Sequence, residues 1–317
     1  MSDTINVISE FAPLKKVVLA QSEFAFSSQA VYDEMDNGEY DFLDETYADI
    51  EVGHYSEDFA TAYPKLNQQW LAEKQNLIEV FNQFGIEVIR PRLLNTTEKE
   101  RGLSSGDGYS NFFVRDPFFT IGSTVIKGHL RLPHRKHEID TINDYLVRAT
   151  TAANAPYISV SKGYLEGGDV LVLGHDILVG YSGLASDITG IQWLTDTLGS
   201  GYHIIPVKLH PHILHLDCAL SLLRPGLMIV CPEAFIDGIP DQLKDWEHID
   251  VTLAQATQLM CNGLPIDEHT YITDVAFTEL IPRIEAHGIQ VIALDYQISR
   301  MFGGSFRCTT QPLQRLT

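Results

Sequence analysis

The chain has 317 residues, 44% hydrophobic and 20% charged, with 22 Lys and Arg against 42 Asp and Glu and a formal net charge of −20. This is a globular composition, long enough for one large core or two modest ones, and no apolar stretch approaches the roughly 18 to 20 residues that span a bilayer. The acidic balance disfavours DNA or RNA as a partner and is permissive for a small cationic one, though solubility alone also accounts for it.

Met1-Ser-Asp-Thr-Ile-Asn6 has no basic segment followed by an apolar one, which predicts no signal peptide. Residues 11–20 read as a turn and then a strand. From Val17 to Pro64 there is no Lys or Arg, and Asp33 to Asp58 holds eleven acidic residues interleaved with aromatics. So many aromatics argue against a plain disordered tail, leaving a long loop or lid, or a solvated excursion. Pro64 to Phe84 predicts a helix, with Pro64 in its first turn and Trp70, Leu77, Phe81 and Phe84 near helical spacing. Gly85 ends it, and Ile86 to Ile89 is a strand. The same helix, glycine, strand order returns at Ala276–His287, Gly288 and Ile289–Leu294, which suggests an internal repeat.

Gly102 to Gly108 reads as a Gly/Ser loop and Thr120 to Ile126 as a hairpin; His137 to Thr151 predicts a helix. Val170–Leu173 and Ile177–Gly180 flank a turn and form a second hairpin. Asp187–Leu198, Asp241–Trp246 and Leu253–Met260 read as helices, Ile204–Lys208 and Gly226–Cys231 as strands, and His215 and Asp217 as strand residues two apart, pointing the same way. Val291–Leu294 reads as a buried strand leading to Gly303-Gly304 and Cys308. Strand pairs and single helices alternate without a linker, so the expectation is one α/β domain over 1–317. Four cysteines without CxxC spacing predict free thiols in a reducing, cytoplasmic compartment.

Four acid- or thiol-bearing turns stand out: Arg115-Asp116-Pro117, Glu166-Gly-Gly-Asp169, His215-Leu-Asp217 and Gly303-Gly-Ser-Phe-Arg-Cys308. Each alone has a plain reading: a turn before proline, a polar turn, a satisfied pair, a buried structural cysteine. Together they supply a thiol, an imidazole and several carboxylates. The acids lie in distant segments rather than at zinc-ligand spacing, so no metal is expected. No G-x-S-x-G, Walker loop or GxGxxG occurs, and no cofactor is expected.

In order and type, from Lys16 to Arg315, these motifs resemble the guanidino-group modifying superfamily of arginine deiminases, dimethylarginine dimethylaminohydrolases, agmatine deiminases and amidinotransferases. The resemblance implies a five-bladed α/β propeller of pseudo-repeated ββαβ units, with which the strand–strand–helix alternation agrees. It implies Cys308 as nucleophile on the guanidinium carbon, His215 as general acid and then base, and Glu166 as its acidic partner. Asp116 and Asp217 would bind guanidinium N–H groups, and Asp169 would order the turn or touch substrate. Arg135 stands where arginine deiminases grip a substrate carboxylate, but Tyr181-Ser-Gly-Leu-Ala-Ser186 lacks their second arginine, which puts free arginine in doubt. The Glu166-Gly-Gly-Asp169 run resembles the hydrolase branch, whereas Arg307–Arg315 and the helix before Gly85 resemble bacterial amidinotransferases. The expected partner is a small cationic guanidino compound, with neither nucleic acid nor membrane; a homo-oligomer is compatible with the sequence.

The chemistry suits the types. Carboxylates match the planar fork of a guanidinium with charge-assisted bonds and hold it for attack. A thiolate forms the covalent adduct, and an imidazole protonates the leaving amine near neutral pH. Water or an acceptor amine then completes the reaction.

Overall fold

The computed structural model describes residues 4–35 and 53–316. Most of the acidic Asp33–Asp58 segment lies outside the described residues; of what remains, Asp58 caps the short helix Phe59–Ala62 by accepting from the Thr61 N–H.

Five three-stranded sheets repeat one pattern among the described residues. In each, an antiparallel pair is followed by a third strand parallel to the middle one. Phe118–Ile121, Thr124–Lys127 and Tyr157–Ser159 make one such sheet. Val170–Leu173, Asp176–Tyr181 and His203–Lys208 make the next. Leu220–Arg224, Leu227–Val230 and Glu247–Asp250 follow, then Leu264–Asp267, Thr270–Asp274 and Gln290–Leu294. The remaining sheet joins both ends of the chain: Thr310–Arg315 pairs antiparallel with Leu14–Leu19, which pairs in parallel with Glu87–Ile89.

A parallel third strand needs a crossover, and that need explains the echo seen in the sequence. Pro64–Gln83 and Leu280–Glu285 are crossover helices, and each is followed by a glycine in the left-handed region, Gly85 at φ 66° and Gly288 at φ 75°. A side chain is strained there.

The apolar residues fall between sheets. Val18 and Leu313 pack with Phe118 and Val125, and Ile121 and Ile126 with Val172 and Ile177. Leu178 and Val207 pack with Leu220 and Val230, in a cluster that reaches Tyr271. Leu14 and Val17 meet Leu264 and Ile272. Burial therefore links each sheet to a neighbour and the last to the first.

Several local expectations change. Gly102–Gly108 is partly helix: Thr96–Ser105 is helical because Asn95 and Glu98 form a capping box, and Gly106 closes it at φ 86°. His137–Thr151 divides into a 3₁₀ segment, Pro133–Thr141, and a helix, Asn143–Ala152. Asp241–Trp246 forms turns, and the helix within Leu253–Met260 stops at Thr257. Gln290–Leu294 is a strand, but it is exposed or half-buried, being the outer member of its sheet. His215 and Asp217 are not strand residues; His215 precedes, and Asp217 lies in, the helical turn Leu216–Ala219.

A buried hydrogen-bond network around Ser299 anchors the segment before Cys308. The Glu73 carboxylate accepts from the Ile298 and Ser299 N–H groups and from Ser299 Oγ, holding the start of the helix Gln297–Met301. Lys74 donates to Ser299 Oγ at 2.6 Å and to Tyr296 Oη at 2.9 Å, and burial pushes it down to about 7. Glu73→Ala should lower stability by about 2 to 4 kcal/mol, because it leaves the buried Ile298 and Ser299 N–H groups and the Ser299 hydroxyl without their acceptor. A urea denaturation midpoint within error of wild type would contradict this.

Candidate active site

Asp116, Glu166, His215, Arg135 and Cys308 line one cavity of ≈ 130 Å³. Its outer wall comes from the two-stranded ribbon of Phe24–Ala25 and Tyr109–Ser110 and from an aromatic cluster containing Phe112, Phe113 and Phe302.

Cys308 is 4% exposed and sits in the turn just before Thr310–Arg315. Its N–H donates to Asn262 Oδ1 at 3.1 Å, and its carbonyl accepts from the Arg115 N–H at 3.2 Å. Gly304 packs directly against Phe113 and Cys308, leaving no room for a side chain. Burial, then the Asp217 and Asp116 carboxylates, push the thiol well above its ordinary range, with Arg307 opposing.

His215 is 2% exposed. Its Nε2 lies 2.8 Å from Glu166 Oε2 and its Nδ1 3.9 Å from Asp116 Oδ1. Burial opposes its charge, but Asp116, the Glu166 hydrogen bond and Asp169 outweigh burial and push it up to about 10. The imidazole is therefore protonated at neutral pH. Gly168 makes the close approach feasible: a side chain there would meet both Asp116 Oδ1 and the His215 ring at 2.8 Å.

Asp116 accepts from the Gly168 N–H through Oδ1 and from Arg135 Nη2 through Oδ2 at 2.9 Å. Burial raises its pKa, yet His215 and Arg135 together hold it below the usual range. Arg135 also bonds Glu138 at 2.8 and 2.9 Å and lies 3.5 Å from Glu166. Its guanidinium thus faces three carboxylates.

Asp217 and Asp169 do not line the cavity. Asp217 is wholly buried, bonded through Oδ2 to Arg307 Nη1 at 2.8 Å, with Cys308 Sγ 3.9 Å from the same oxygen. Asp169 accepts from the Leu216 N–H at 2.9 Å and the Ser186 N–H at 3.3 Å, tying down the turn that presents His215. Burial pushes Asp169 up to about 7. A raised carboxyl favours the folded state fully below its ordinary 3.8, and the benefit is lost as pH rises through about 7. Asp169→Asn should flatten the fall in stability between about pH 4 and pH 7. Unfolding free energies across that window that fall as steeply as in wild type would contradict it.

Ligand atoms of Asp116, Glu166 and His215 lie within 4.8 Å of one another and could gather round a cation. Arg135 places its own positive charge against two of them.

Residues not anticipated from the sequence complete the setting. Arg307 bridges Glu10 and Asp217, with both Glu10 contacts at 3.2 Å, and burial of Glu10 is outweighed by Arg307 and Arg115, which hold it down to about 2. Glu138 and Asn262 are the others. Arg307 and Glu138 had a local signal, adjacency to Cys308 and i+3 spacing from Arg135; Glu10 and Asn262 had none.

The family described as "N,N dimethylarginine dimethylhydrolase, eukaryotic" matches residues 43–315. Inosamine-phosphate amidinotransferase 1 of Streptomyces glaucescens is 25% identical, over 98% of this chain and 97% of that protein. The structure of the Streptomyces griseus inosamine-phosphate amidinotransferase superposes with a TM-score of 0.80 at 20% identity, over 99% of this chain and 97% of that one. DDAH from Pseudomonas aeruginosa gives 0.64 at 16% identity, over 95% and 99%. With 273 of its residues spanned by the family match, this chain belongs to the N,N-dimethylarginine dimethylhydrolase family of the guanidino-modifying superfamily and is a guanidino-modifying enzyme.

Proposed function

We propose that the protein hydrolyses the guanidino C–N bond of an arginine-like compound through a covalent amidino adduct on Cys308. The observation that carries this reading is one cavity holding both a buried thiol and an imidazolium, His215, bonded to Glu166. Burial and the Asp217 and Asp116 carboxylates favour the neutral thiol before substrate binds. A bound guanidinium brings positive charge beside Cys308 and favours loss of its proton to solvent. Cys308 Sγ then bonds to the guanidinium carbon, His215 protonates the departing nitrogen, and that C–N bond breaks. Neutral His215 next accepts a proton from water as its oxygen attacks the amidino carbon. Breaking of the C–S bond releases a ureido product and restores Cys308.

In this reading Asp116 and Glu166 hold the substrate guanidinium, and Asp169 keeps His215 in place. Asp217 acts from behind, through Arg307 and Cys308, rather than by direct contact. Arg135 lies inside the site, where its charge organises the same carboxylates. The five sheets and the apolar clusters that link them in a closed order support a five-bladed α/β propeller within one catalytic domain. Four free cysteines fit a cytoplasmic setting, and no described helix is long and apolar enough to cross a membrane.

Transfer of the amidino group to an amine such as glycine or ornithine is the second reading, favoured by the amidinotransferase that aligns along nearly the whole chain. Mass spectrometry of products from a panel of guanidino compounds, with and without those amines, separates the two. A ureido product without acceptor supports hydrolysis. Product formed only with an amine makes the enzyme a transferase, and no turnover of any compound overturns both.

A further inference from the structure

We propose that Lys74 is a positioning residue for Cys308: from outside the cavity, its hydrogen bonds tie together the two ends of the segment 296–309 that carries the nucleophile. The proposal rests on the guanidino reading above and adds a residue to its machinery. Lys74 is 1% exposed on the crossover helix Pro64–Gln83 and does not line the cavity.

One branch runs to the turn that holds Cys308, and its donors and acceptors have a fixed order. Thr309 Oγ1 donates to the Ser305 carbonyl at 3.0 Å. It therefore accepts from Tyr296 Oη, 2.8 Å away, and Tyr296 Oη accepts in turn from Lys74 Nζ at 2.9 Å. The Ser305 carbonyl also accepts from the Thr309 N–H at 3.1 Å, which closes the turn around Cys308. Stacking of Tyr296 on Phe306, with ring centroids 4.1 Å apart, fixes the same turn from its other side.

The second branch runs to the cavity wall. Ser299 Oγ accepts from Lys74 Nζ at 2.6 Å and from Trp70 Nε1 at 3.2 Å, and donates to Glu73 at 2.8 Å. The Ser299 carbonyl accepts from the Phe302 N–H at 3.2 Å, and Phe302 and Gly303 line the cavity beside Cys308. An apolar side chain would fill this space without the cost of burying an amine. What lysine adds is two donors on a long stem, reaching two hydroxyls at once. Two N–H groups suffice, so the bonds persist whether or not the ammonium loses a proton.

The test is the steady-state kinetics and hydrogen exchange of Lys74→Met, which keeps the stem and removes the donors, and of Tyr296→Phe, which removes one hydroxyl and keeps the ring. Each should lower kcat by about tenfold to a hundredfold, with KM within threefold of wild type. The double variant should lose less than the product of the two single losses, because both act through one chain. Exchange should quicken in residues 297–309 and keep its wild-type rate in the strand Leu227–Val230. Ile284→Ala, a cavity made in another crossover helix, is the control for stability alone. It should melt lower with kcat within twofold of wild type. A kcat within twofold of wild type in Lys74→Met and Tyr296→Phe, a loss confined to KM, or a kcat loss in Ile284→Ala as large as theirs would overturn the assignment. If Lys74→Met does not fold, Tyr296→Phe decides by the same measures. If the wild type turns over no guanidino compound, the guanidino reading fails and exchange alone decides: unchanged rates in 297–309 overturn the positioning role, and faster rates confined there uphold it.

Discussion

Cys308→Ala is expected to lose turnover of every guanidino substrate, by a factor on the order of 10⁴ or more. The adduct needs a sulfur at the guanidinium carbon, and the other three cysteines, Cys218, Cys231 and Cys261, do not line the cavity. Folding should survive. The thiol's nearest polar partner is Asp217 at 3.9 Å, and the anchors of this turn are backbone groups bonded to Asn262 and Arg115. The expected stability change is about 1 kcal/mol or less. Intact-mass measurement during turnover should show an amidino adduct on the wild-type chain and none on the variant. Activity within tenfold of wild type, in a variant that melts normally, would remove Cys308 from the mechanism.

His215→Asn has two expected effects. Loss of the acid that protonates the leaving nitrogen should cost about 10³ in kcat. The second effect is on stability. His215 supplies a buried positive charge among Asp116, Glu166 and Asp169, and removing it leaves them facing one another with Arg135 and Arg115 to oppose their charge. The sign follows from the direction of the shift. His215 is raised from 6.5 to about 10 on folding, so its contribution is fully present below about pH 6.5 and is lost as pH rises through about 10. The stability gap between wild type and variant should therefore be largest near pH 6 and close towards pH 10. Denaturation at those two values checks it, and a gap that widens with pH would refute the buried imidazolium. Activity of the wild type should also fall above about pH 10, as the acid loses its proton.

Much of this was legible in the chain because it is local. The hairpin at Val170–Tyr181 announces itself by apolar runs around a turn, and the Gly85 and Gly288 junctions by a backbone that favours glycine. Cys308, His215, Asp116 and Glu166 were marked by their types in one recurring order, and the structure brings those four to one cavity. The capping pair Asn95 and Glu98 was also in the sequence, yet the glycines after it read as a loop. His215 and Asp217 misled for a different reason. Alternation of polar and apolar residues cannot separate a short strand from a helical turn whose cap, Asp169, lies 47 positions away.

What the sequence by itself determined is the set of reactive types, the strand and helix alternation, and the acidic balance that suits a cationic substrate. Those depend on periods of two and 3.6 residues and on chemistry carried by single side chains. Only the tertiary structure decided which carboxylates face the cavity and which stand behind it. Asp116 opens onto it while Asp217 is bonded to Arg307, and Arg135 spends its charge on acids instead of presenting it to a ligand. Those assignments depend on contacts between residues up to 297 positions apart, such as Glu10 with Arg307, and on charges removed from water together. Their energies exist only once distant segments share one low-dielectric site.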